Sequence, residues 1–470
     1  MSRDELIRWS ATELAAMIRD RTVSPVEVTN AMLERIERLN PTLNAFCLIA
    51  HESARAAARE AEIALIKDEP IGPLHGVPVS IKDVIFTRGL TTTGGSRMFA
   101  EVTPSEDAIP VARLRAAGAV ILGKTNTSEF GHKAVTDNRL FGTTRNPWNP
   151  AYTPGGSSGG AAAAVATGQG PIGLGTDGGG SVRIPAAFCG LYGFKPSYGR
   201  VPNYPGFPGW EHFSHTGPIT RTVRDAAVVL DVIAGADDRD LDSLPGGPEG
   251  YLDACDENVK GLHVAWSPDL GYARVDPEVA RICEEAAAQF ESLGCHVEVV
   301  NPGWPSPEAA FGTMVAAQFY AAWADRLPDA ESVMDPSLVK FVRRGGGITA
   351  RQYLDARSWM GAFWREVLGF LTRFDLLLTP TVAVAPFAVA GPPPREIGGQ
   401  PVSVLGWMPF TYPFNMTGQP AASVPAGFTP TGLPVGLQIV GRRTADRTVL
   451  AASAAYEAAN PWRDRRPPLE

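Results

Sequence analysis

The stretch that most constrains the fold runs from Gly155 to Pro185, where glycine and alanine dominate and polar side chains are few. An alanine-rich helical pattern follows Ser158, and a short apolar run leads into a second group of glycines. Two serines, Ser157 and Ser181, are set among these glycines a fixed distance apart. Because glycine lets a backbone or a substrate approach closely, we interpret the stretch as a site of covalent catalysis.

Short apolar runs alternate with helical patterns along the chain, which is typical of an α/β sheet protein. The strand candidates are Val77 to Ile81, Val120 to Leu122, Ile172 to Leu174, Leu262 to Trp266, Val297 to Val300, Leu376 to Leu378 and Val435 to Val440. A helix is predicted over 108–117, and Ser10 with Glu13 and Ser24 with Glu27 predict capping boxes near the N-terminus. The Gly- and Pro-rich segment 391–400 is interpreted as a surface loop rather than a linker.

Composition and charge exclude several classes of function. The net charge of -8 is spread along the 470 residues without basic runs, so nucleic acid is not expected as a partner. No apolar run reaches the roughly 18 residues of a membrane span and no apolar leader is visible, so a cytoplasmic protein is expected. The five cysteines are scattered and odd in number, which argues against a disulfide framework or a thiolate metal site.

Three segments match the residue patterns of familiar motifs but lack the neighbouring structure that each motif requires. The segment 118–125, GAVILGKT, fits a P-loop, yet its variable positions form a buried strand pattern where a phosphate needs a loop. Residues 173–178 fit GxGxxG, but no acidic residue follows about 20 positions later to hold a ribose. Residues 155–159 fit the GxSxG nucleophile elbow, but a proline-containing loop precedes them instead of a strand. Neither nucleotide binding nor an α/β-hydrolase fold is predicted.

A serine nucleophile needs a base, because its hydroxyl reacts poorly until the proton is removed. Histidine is the usual base, but no histidine lies in the glycine-rich stretch, and His212 and His215 follow it in a predicted loop. A lysine serves instead when burial and neighbouring groups keep it neutral. Lys82 ends an apolar strand pattern, which makes it a candidate base alongside the two histidines.

Residues Gly155 to Ala186 resemble, position by position, the signature of the amidase signature family of serine hydrolases. Four further segments resemble the family in its own order: Gly76–Asp83, Gly123–Asn126, Thr144–Trp148 and Gly432–Gln438. The resemblance covers nearly the whole chain and is firmest from about Pro73 to Arg224. It implies a single α/β domain over 1–470 with a large mixed sheet covered by helices on both faces. Its expected parts are N-terminal helices over 1–70, a catalytic core over 73–224 and a variable substrate-pocket region over 300–412.

The resemblance also implies a Ser-cisSer-Lys triad that uses no metal or organic cofactor. In this triad Ser181 is the nucleophile, Ser157 is a bridging serine in a cis peptide, and Lys82 accepts the proton. The residues expected to form an oxyanion hole, together with the Ser181 amide, are Gly178, Gly179 and Gly180. The residues expected to support the site are Ser158 and the buried pair Asp177 and Arg183.

Aromatic and apolar residues in two segments are expected to line a pocket for a hydrophobic substrate. They are Tyr204, Phe207 and Trp210 after the signature, and Trp407, Met408 and Phe410 farther along. The apolar helical pattern over 311–322 is expected to be core packing, with a pocket wall as the alternative. In the tRNA amidotransferase subunits of the family, an Asp at the position aligned with Met408 grips the glutamine ammonium. A thioether forms no such ion pair, which argues against a glutamine-dependent amidotransferase.

The predicted function is hydrolysis of the C–N bond of hydrophobic or aryl amides through a Ser181 acyl-enzyme. Anilides, carbamates (urethanes) and esters stay open as substrates because all pass through the same oxyanion. The other hypotheses are an amidotransferase A-type subunit, which needs partner proteins, and a non-catalytic binding protein on the same fold. The expected partner is a small-molecule amide, anilide or carbamate, and a homodimer is left open.

Overall fold

A computed structural model describes residues 3–389 and 391–469 of the chain. The helices are α1 Arg3–Leu6, α2 Ala11–Arg19, α3 Pro25–Leu43, α4 His51–Ile66, α5 Ile109–Ala116, α6 Gly159–Ala166, α7 Arg183–Cys189, α8 Val223–Ile233, α9 Tyr251–Ala254, α10 Pro277–Ser292, α11 Glu308–Trp323, α12 Leu327–Ala330, α13 Pro336–Gly346, α14 Ala350–Leu371, α15 Pro413–Met416 and α16 Asp446–Ala459. The strands are β1 Phe46–Ile49, β2 Pro78–Lys82, β3 Val120–Thr125, β4 Asp137–Asn138, β5 Gly142–Thr143, β6 Ile172–Asp177, β7 Tyr192–Lys195, β8 His215–Thr220, β9 His263–Trp266, β10 His296–Val299, β11 Leu376–Pro380, β12 Glu396–Ile397, β13 Gln400–Pro401, β14 Ala421–Phe428 and β15 Pro434–Gly441.

Eleven of these strands form one mixed sheet in the order β1-β3-β2-β6-β8-β7-β14-β15-β11-β9-β10. Strand β2 runs parallel to β3 and β6, and β9 runs parallel to β10 and β11, whereas the strands between these groups pair in antiparallel fashion. The predicted single α/β domain with a mixed sheet is confirmed. Within the segment predicted as a loop, β12 pairs with β13 in a short hairpin.

The two faces of the sheet carry different helices. The largest apolar cluster joins one face of β2 and β6 to α5, α8, α10 and α16. Helix α6 covers the opposite face at close range, because a Cβ on Gly173 of β6 would lie 3.0 Å from the Cβ of Ala161. A Cβ on Gly160 would lie 2.5 Å from the carbonyl oxygen of Ala45. The glycines and alanines of residues 155–185 therefore allow α6 to pack closely against its neighbours.

A second apolar cluster lies among α11, α13 and α14. The buried residues that α11 contributes include Phe311, Met314, Val315 and Phe319. The apolar pattern over 311–322 is therefore mainly core packing, as expected.

The N-terminal helices pack as a layer against the sheet edge formed by β1 and β3. Both predicted capping boxes form, with Ser10 and Glu13 at the start of α2 and Ser24 and Glu27 at the start of α3. Among the described residues, no helix is long and apolar enough to cross a membrane.

Candidate active site

Lys82 is the last residue of β2, and strand alternation turns it away from the apolar cluster beneath the sheet. Its side chain is fully buried. The Nζ atom donates to Ser157 Oγ at 2.7 Å and to Thr176 Oγ1 at 2.8 Å. Burial lowers the pKa of Lys82 from 10.5 to about 7, although the charge of Asp177 acts in the opposite direction. A lysine with this pKa is partly neutral near pH 7 and is able to accept a proton.

Two other lysines are buried in the described part of the chain, and their contacts lie elsewhere. Lys124 Nζ donates to Thr87 Oγ1 at 3.0 Å and to Thr92 Oγ1 at 2.9 Å, and burial lowers its pKa to about 8. Lys195 Nζ donates to two backbone carbonyls, and burial holds its pKa well below the usual range. Of the three, Lys82 is the lysine that contacts a serine of the glycine-rich stretch.

Ser157 lies in the loop before α6, and the peptide bond between Gly156 and Ser157 is cis, as the resemblance implies. No side chain fits at Gly156, because a Cβ there would lie 2.5 Å from the carbonyl carbon of Val135. The Ser157 hydroxyl accepts the hydrogen bond from Lys82 and lines a cavity. This loop therefore sets the hydroxyl between the lysine and the cavity.

Ser181 lies just before α7, is 8% exposed and lines the same cavity as Ser157. Its carbonyl accepts a hydrogen bond from the Ser158 N–H at 3.3 Å, which ties the two serine loops together. Within residues 3–389 and 391–469, no hydrogen bond joins the hydroxyls of Ser157 and Ser181. A proton relay between them requires the Ser181 hydroxyl to turn toward Ser157, as hydrogen bonds of unliganded sites often tighten only with substrate bound.

The loop from β6 to α7 contains three backbone amides that have no acceptor among the described residues. They belong to Gly178, Gly179 and Ser181. The N–H of Gly180 instead donates to Asp177 Oδ1 at 2.6 Å. The expectation that Gly180 supplies an oxyanion donor is therefore corrected, since its amide is already engaged. Gly180 has a φ of 128°, a conformation that glycine adopts without strain.

Asp177 and Arg183 form the buried ion pair that the sequence predicts, and the pair holds this loop. Arg183 Nε and Nη2 each lie 2.9 Å from a carboxylate oxygen of Asp177. Arg183 also donates to Gln438 Oε1 at 2.7 Å and to Asn415 Oδ1 at 2.6 Å. Burial alone would raise the pKa of Asp177, but the charge and hydrogen bonds of Arg183 hold it well below its usual value. The carboxylate stays ionised and continues to accept the Gly180 amide.

Ser158 and Thr176 link the lysine to the start of α6. Ser158 Oγ donates to the carbonyl of Thr176 at 3.2 Å, and Thr176 Oγ1 accepts a hydrogen bond from Lys82. Ser158, a predicted supporting residue, is therefore hydrogen-bonded to Thr176, which is not predicted from the sequence. The sequence places Thr176 next to Asp177 in the glycine-rich stretch, which is the only hint of its role. Its contact with Lys82 depends on the pairing of β6 with β2.

A cavity of about 420 Å³ lies over the two serines. Three of the predicted pocket residues, Tyr204, Phe207 and Trp210, line it. Tyr204 is 42% exposed and lies at the rim, whereas Phe207 and Trp210 are half-buried. Glu211, Asp240 and Asp242 also line the cavity, which therefore combines aromatic walls with acidic and polar groups.

Trp407, Met408 and Phe410 lie in the core, which corrects the prediction that they line the pocket. Each is at most 5% exposed, and all three belong to the second apolar cluster. The Trp407 ring stacks on Phe188 with 6.1 Å between ring centres. Aromatic content alone does not separate a pocket wall from a core, because both bury apolar rings.

The two histidines considered as bases are engaged away from the serines. His215 begins β8 rather than lying in a loop, and its Nδ1 lies 2.7 Å from the carbonyl oxygen of Phe213. Burial and Lys195 hold the pKa of His215 well below its usual range. His212 is exposed at the cavity rim, with Nδ1 3.4 Å from Asp242. Neither geometry matches a base for Ser181.

The chain is similar to known proteins over its whole length. The family model described as amidase matches residues 27–450. An acylamidase from Rhodococcus erythropolis is 40% identical over 469 residues, which cover 99% of this chain and 98% of that protein. The A subunit of the glutamyl-tRNA(Gln) amidotransferase from Moorella thermoacetica is 37% identical over 489 residues, which cover 99% of both chains. The crystal structure of a bacterial aryl acylamidase of the amidase signature enzymes superposes with a TM-score of 0.91 at 36% identity, covering 97% of this chain and 96% of that one.

Proposed function

The chain belongs to the amidase signature family and is an amide-hydrolysing enzyme, and from this premise we propose a stand-alone serine amidase for hydrophobic or aryl amides. Ser181 is the nucleophile, Ser157 relays the proton and Lys82 is the base. The observation that carries the proposal is the 2.7 Å hydrogen bond from Lys82 Nζ to Ser157 Oγ, beside the cavity that Ser181 also lines.

Acylation begins when neutral Lys82 takes the proton of Ser157 and Ser157 takes the proton of Ser181. The Ser181 oxygen attacks the substrate carbonyl and forms a C–O bond, and the amides of Gly178, Gly179 and Ser181 donate to the oxyanion. The C–N bond then breaks, and the departing nitrogen receives its proton from Ser157 while Lys82 returns its own. Water attacks the acyl-enzyme by the same route and releases the acid.

The aromatic residues that line the cavity support a substrate that carries an apolar or aryl group. Carbamates and esters pass through the same oxyanion, so a urethane-cleaving activity is the alternative within this mechanism. The relatives include amidotransferase A subunits, but the residue aligned with their ammonium-binding Asp is Met408, which is 5% exposed in the apolar core. A buried thioether binds no ammonium ion, which favours a stand-alone hydrolase over a glutamine-dependent subunit.

The test compares an anilide and a carbamate that share one aromatic amine, each hydrolysed by the purified chain and by Ser181→Ala. We expect turnover by the wild type and a loss of at least about 1,000-fold in Ser181→Ala, on the order of a nucleophile's contribution. Ser53→Ala, the same change at an exposed serine of α4, is the matched control and keeps full activity. The anilide-to-carbamate rate ratio separates amidase from urethanase, and unchanged turnover in Ser181→Ala contradicts the proposal.

A further inference from the structure

Protonation of the departing nitrogen fixes which part of the substrate lies beside Ser157. A proton donor has to come within about 2.6–3.2 Å of the atom that it protonates. The nitrogen of the scissile amide therefore sits next to Ser157 Oγ when the C–N bond breaks, and its substituent extends from that point. Groups that border Ser157 Oγ on the cavity side consequently contact the amine part of the substrate rather than its acyl part.

Gly131 and Trp210 border Ser157 Oγ on that side. A Cβ at Gly131 would lie 3.1 Å from Ser157 Oγ and 3.6 Å from Trp210 Nε1, so one methyl group there would touch both. Gly131 has a φ of 70°, which disfavours any side chain, and both residues line the cavity. The space next to the proton donor is therefore left open and is bounded by an indole ring.

The indole ring is fixed from several directions. Trp210 Nε1 donates to the carbonyl of Phe130 at 3.0 Å, and the ring meets the edge of Phe319 with 5.4 Å between centres. A Cβ at Gly178 would lie 2.4 Å from Trp210 Cε3, so the ring also lies against the oxyanion loop. Phe207, the next aromatic residue of the wall, contacts Phe130 with 5.2 Å between ring centres. The wall is preorganised and loses little freedom when a ligand binds.

We propose that Trp210 and Phe207, held in place by the buried Phe130, bind the aryl group of the leaving amine, so that the enzyme selects its amine part more strongly than its acyl part. The inference rests on the proposed function and names its substrate class: N-aryl amides and N-aryl carbamates. A ring of the substrate that packs on the indole gains an aromatic contact that an alkyl amine of similar size lacks. Such a contact corresponds to about tenfold in kcat/KM.

The experiment uses acetyl amides of aniline and of cyclohexylamine, and anilides of acetic and butyric acid. Trp210→Ala is expected to lower kcat/KM about tenfold for the anilides, to change the cyclohexyl amide less than about threefold and to leave the acetyl-to-butyryl ratio unchanged. Trp210→Phe keeps an aromatic surface and is expected to retain most of the preference for aniline. Trp359→Ala on α14 removes a ring that stacks on Phe363 away from the cavity, and serves as the matched control.

Two results overturn the inference while leaving the proposed function intact. One is an equal loss for the aryl and cyclohexyl amides in Trp210→Ala, with thermal melting as a check on folding. The other is a changed acetyl-to-butyryl ratio, which would assign the wall to the acyl group. The proposed function itself fails if Ser181→Ala continues to turn over the same anilides or if the wild type hydrolyses none of them.

Discussion

Replacing Lys82 by methionine is expected to stabilise the protein while abolishing its activity. The lysine is fully buried, and its pKa of about 7 lies far below the 10.5 of an exposed lysine. A drop of that size corresponds to about 5 kcal/mol of unfavourable free energy for the protonated side chain in the folded state. At pH 7 Lys82 is about half protonated in the folded protein and almost fully protonated in the unfolded chain. Its burial therefore lowers the free energy of unfolding by about 4 kcal/mol at this pH.

Methionine has a similar shape without the charge, but it removes the hydrogen bonds that Lys82 donates to Ser157 and Thr176. Those losses amount to about 1 kcal/mol each, so the net stabilisation at pH 7 is about 2 kcal/mol. Between the two pKa values the unfolded chain binds more protons than the folded one, so wild-type stability rises with pH. At pH 9 the remaining cost of Lys82 is about 2 kcal/mol, and the advantage of Lys82→Met falls to about zero.

The assay is calorimetric melting of both proteins at pH 7 and pH 9 at constant ionic strength. For a chain of this length, a change of about 2 kcal/mol corresponds to about 2 °C in Tm. We expect Lys82→Met to melt about 2 °C above the wild type at pH 7 and level with it at pH 9. A Tm difference between the variant and the wild type that is the same at pH 7 and pH 9 would show that the pKa of Lys82 is not lowered, and would contradict this account.

Three other predictions concern the base, the loop and the core. With a neutral anilide, kcat/KM falls about tenfold per pH unit below about pH 7, because protonated Lys82 accepts no proton; a profile flat from pH 5 to pH 9 contradicts this. Asp177→Asn leaves the Arg183 guanidinium buried without its counter-ion and is expected to lower stability by about 3–5 kcal/mol, measured by calorimetry; an unchanged Tm argues against the pair. Trp407→Ala is expected to lower stability by about 3–5 kcal/mol and to keep the aniline-to-cyclohexylamine rate ratio within about twofold, whereas a changed ratio would return Trp407 to the pocket.

The sequence predicts the elements whose patterns are local. Each of the seven strand candidates corresponds to a strand, from β2 at Pro78–Lys82 to β15 at Pro434–Gly441. Most of them are apolar runs that become buried strands, whereas β10 is an edge strand whose residues are largely exposed. Strand β8 is not predicted, because its sequence, HTGPIT, contains residues typical of turns. Its strand conformation depends on pairing with β6 and β7, which local sequence does not reveal.

In the candidate site, too, some residues are predictable from the sequence and others depend on tertiary contacts. The resemblance identifies Lys82, Ser157 and Ser181 because the motif positions are fixed along the chain, and the first two are joined by a hydrogen bond. The engagement of the Gly180 amide by Asp177 depends on side-chain geometry within a loop. Trp407 is buried against Phe188 of α7 and against Phe387, and local sequence does not reveal these contacts, so the aromatic residue pattern does not separate core from pocket.

The most direct test of the central claim is to label the nucleophile. The chain, Ser181→Ala and Lys82→Met are each treated with an aryl fluorophosphonate and analysed by intact mass and peptide mapping. We expect one phosphonyl group on Ser181 in the wild type, none in Ser181→Ala, and labelling slowed at least about 100-fold in Lys82→Met, on the order of a general base's contribution. An unlabelled wild type, or a label on Ser157 or elsewhere, would contradict the assignment of Ser181 as the nucleophile.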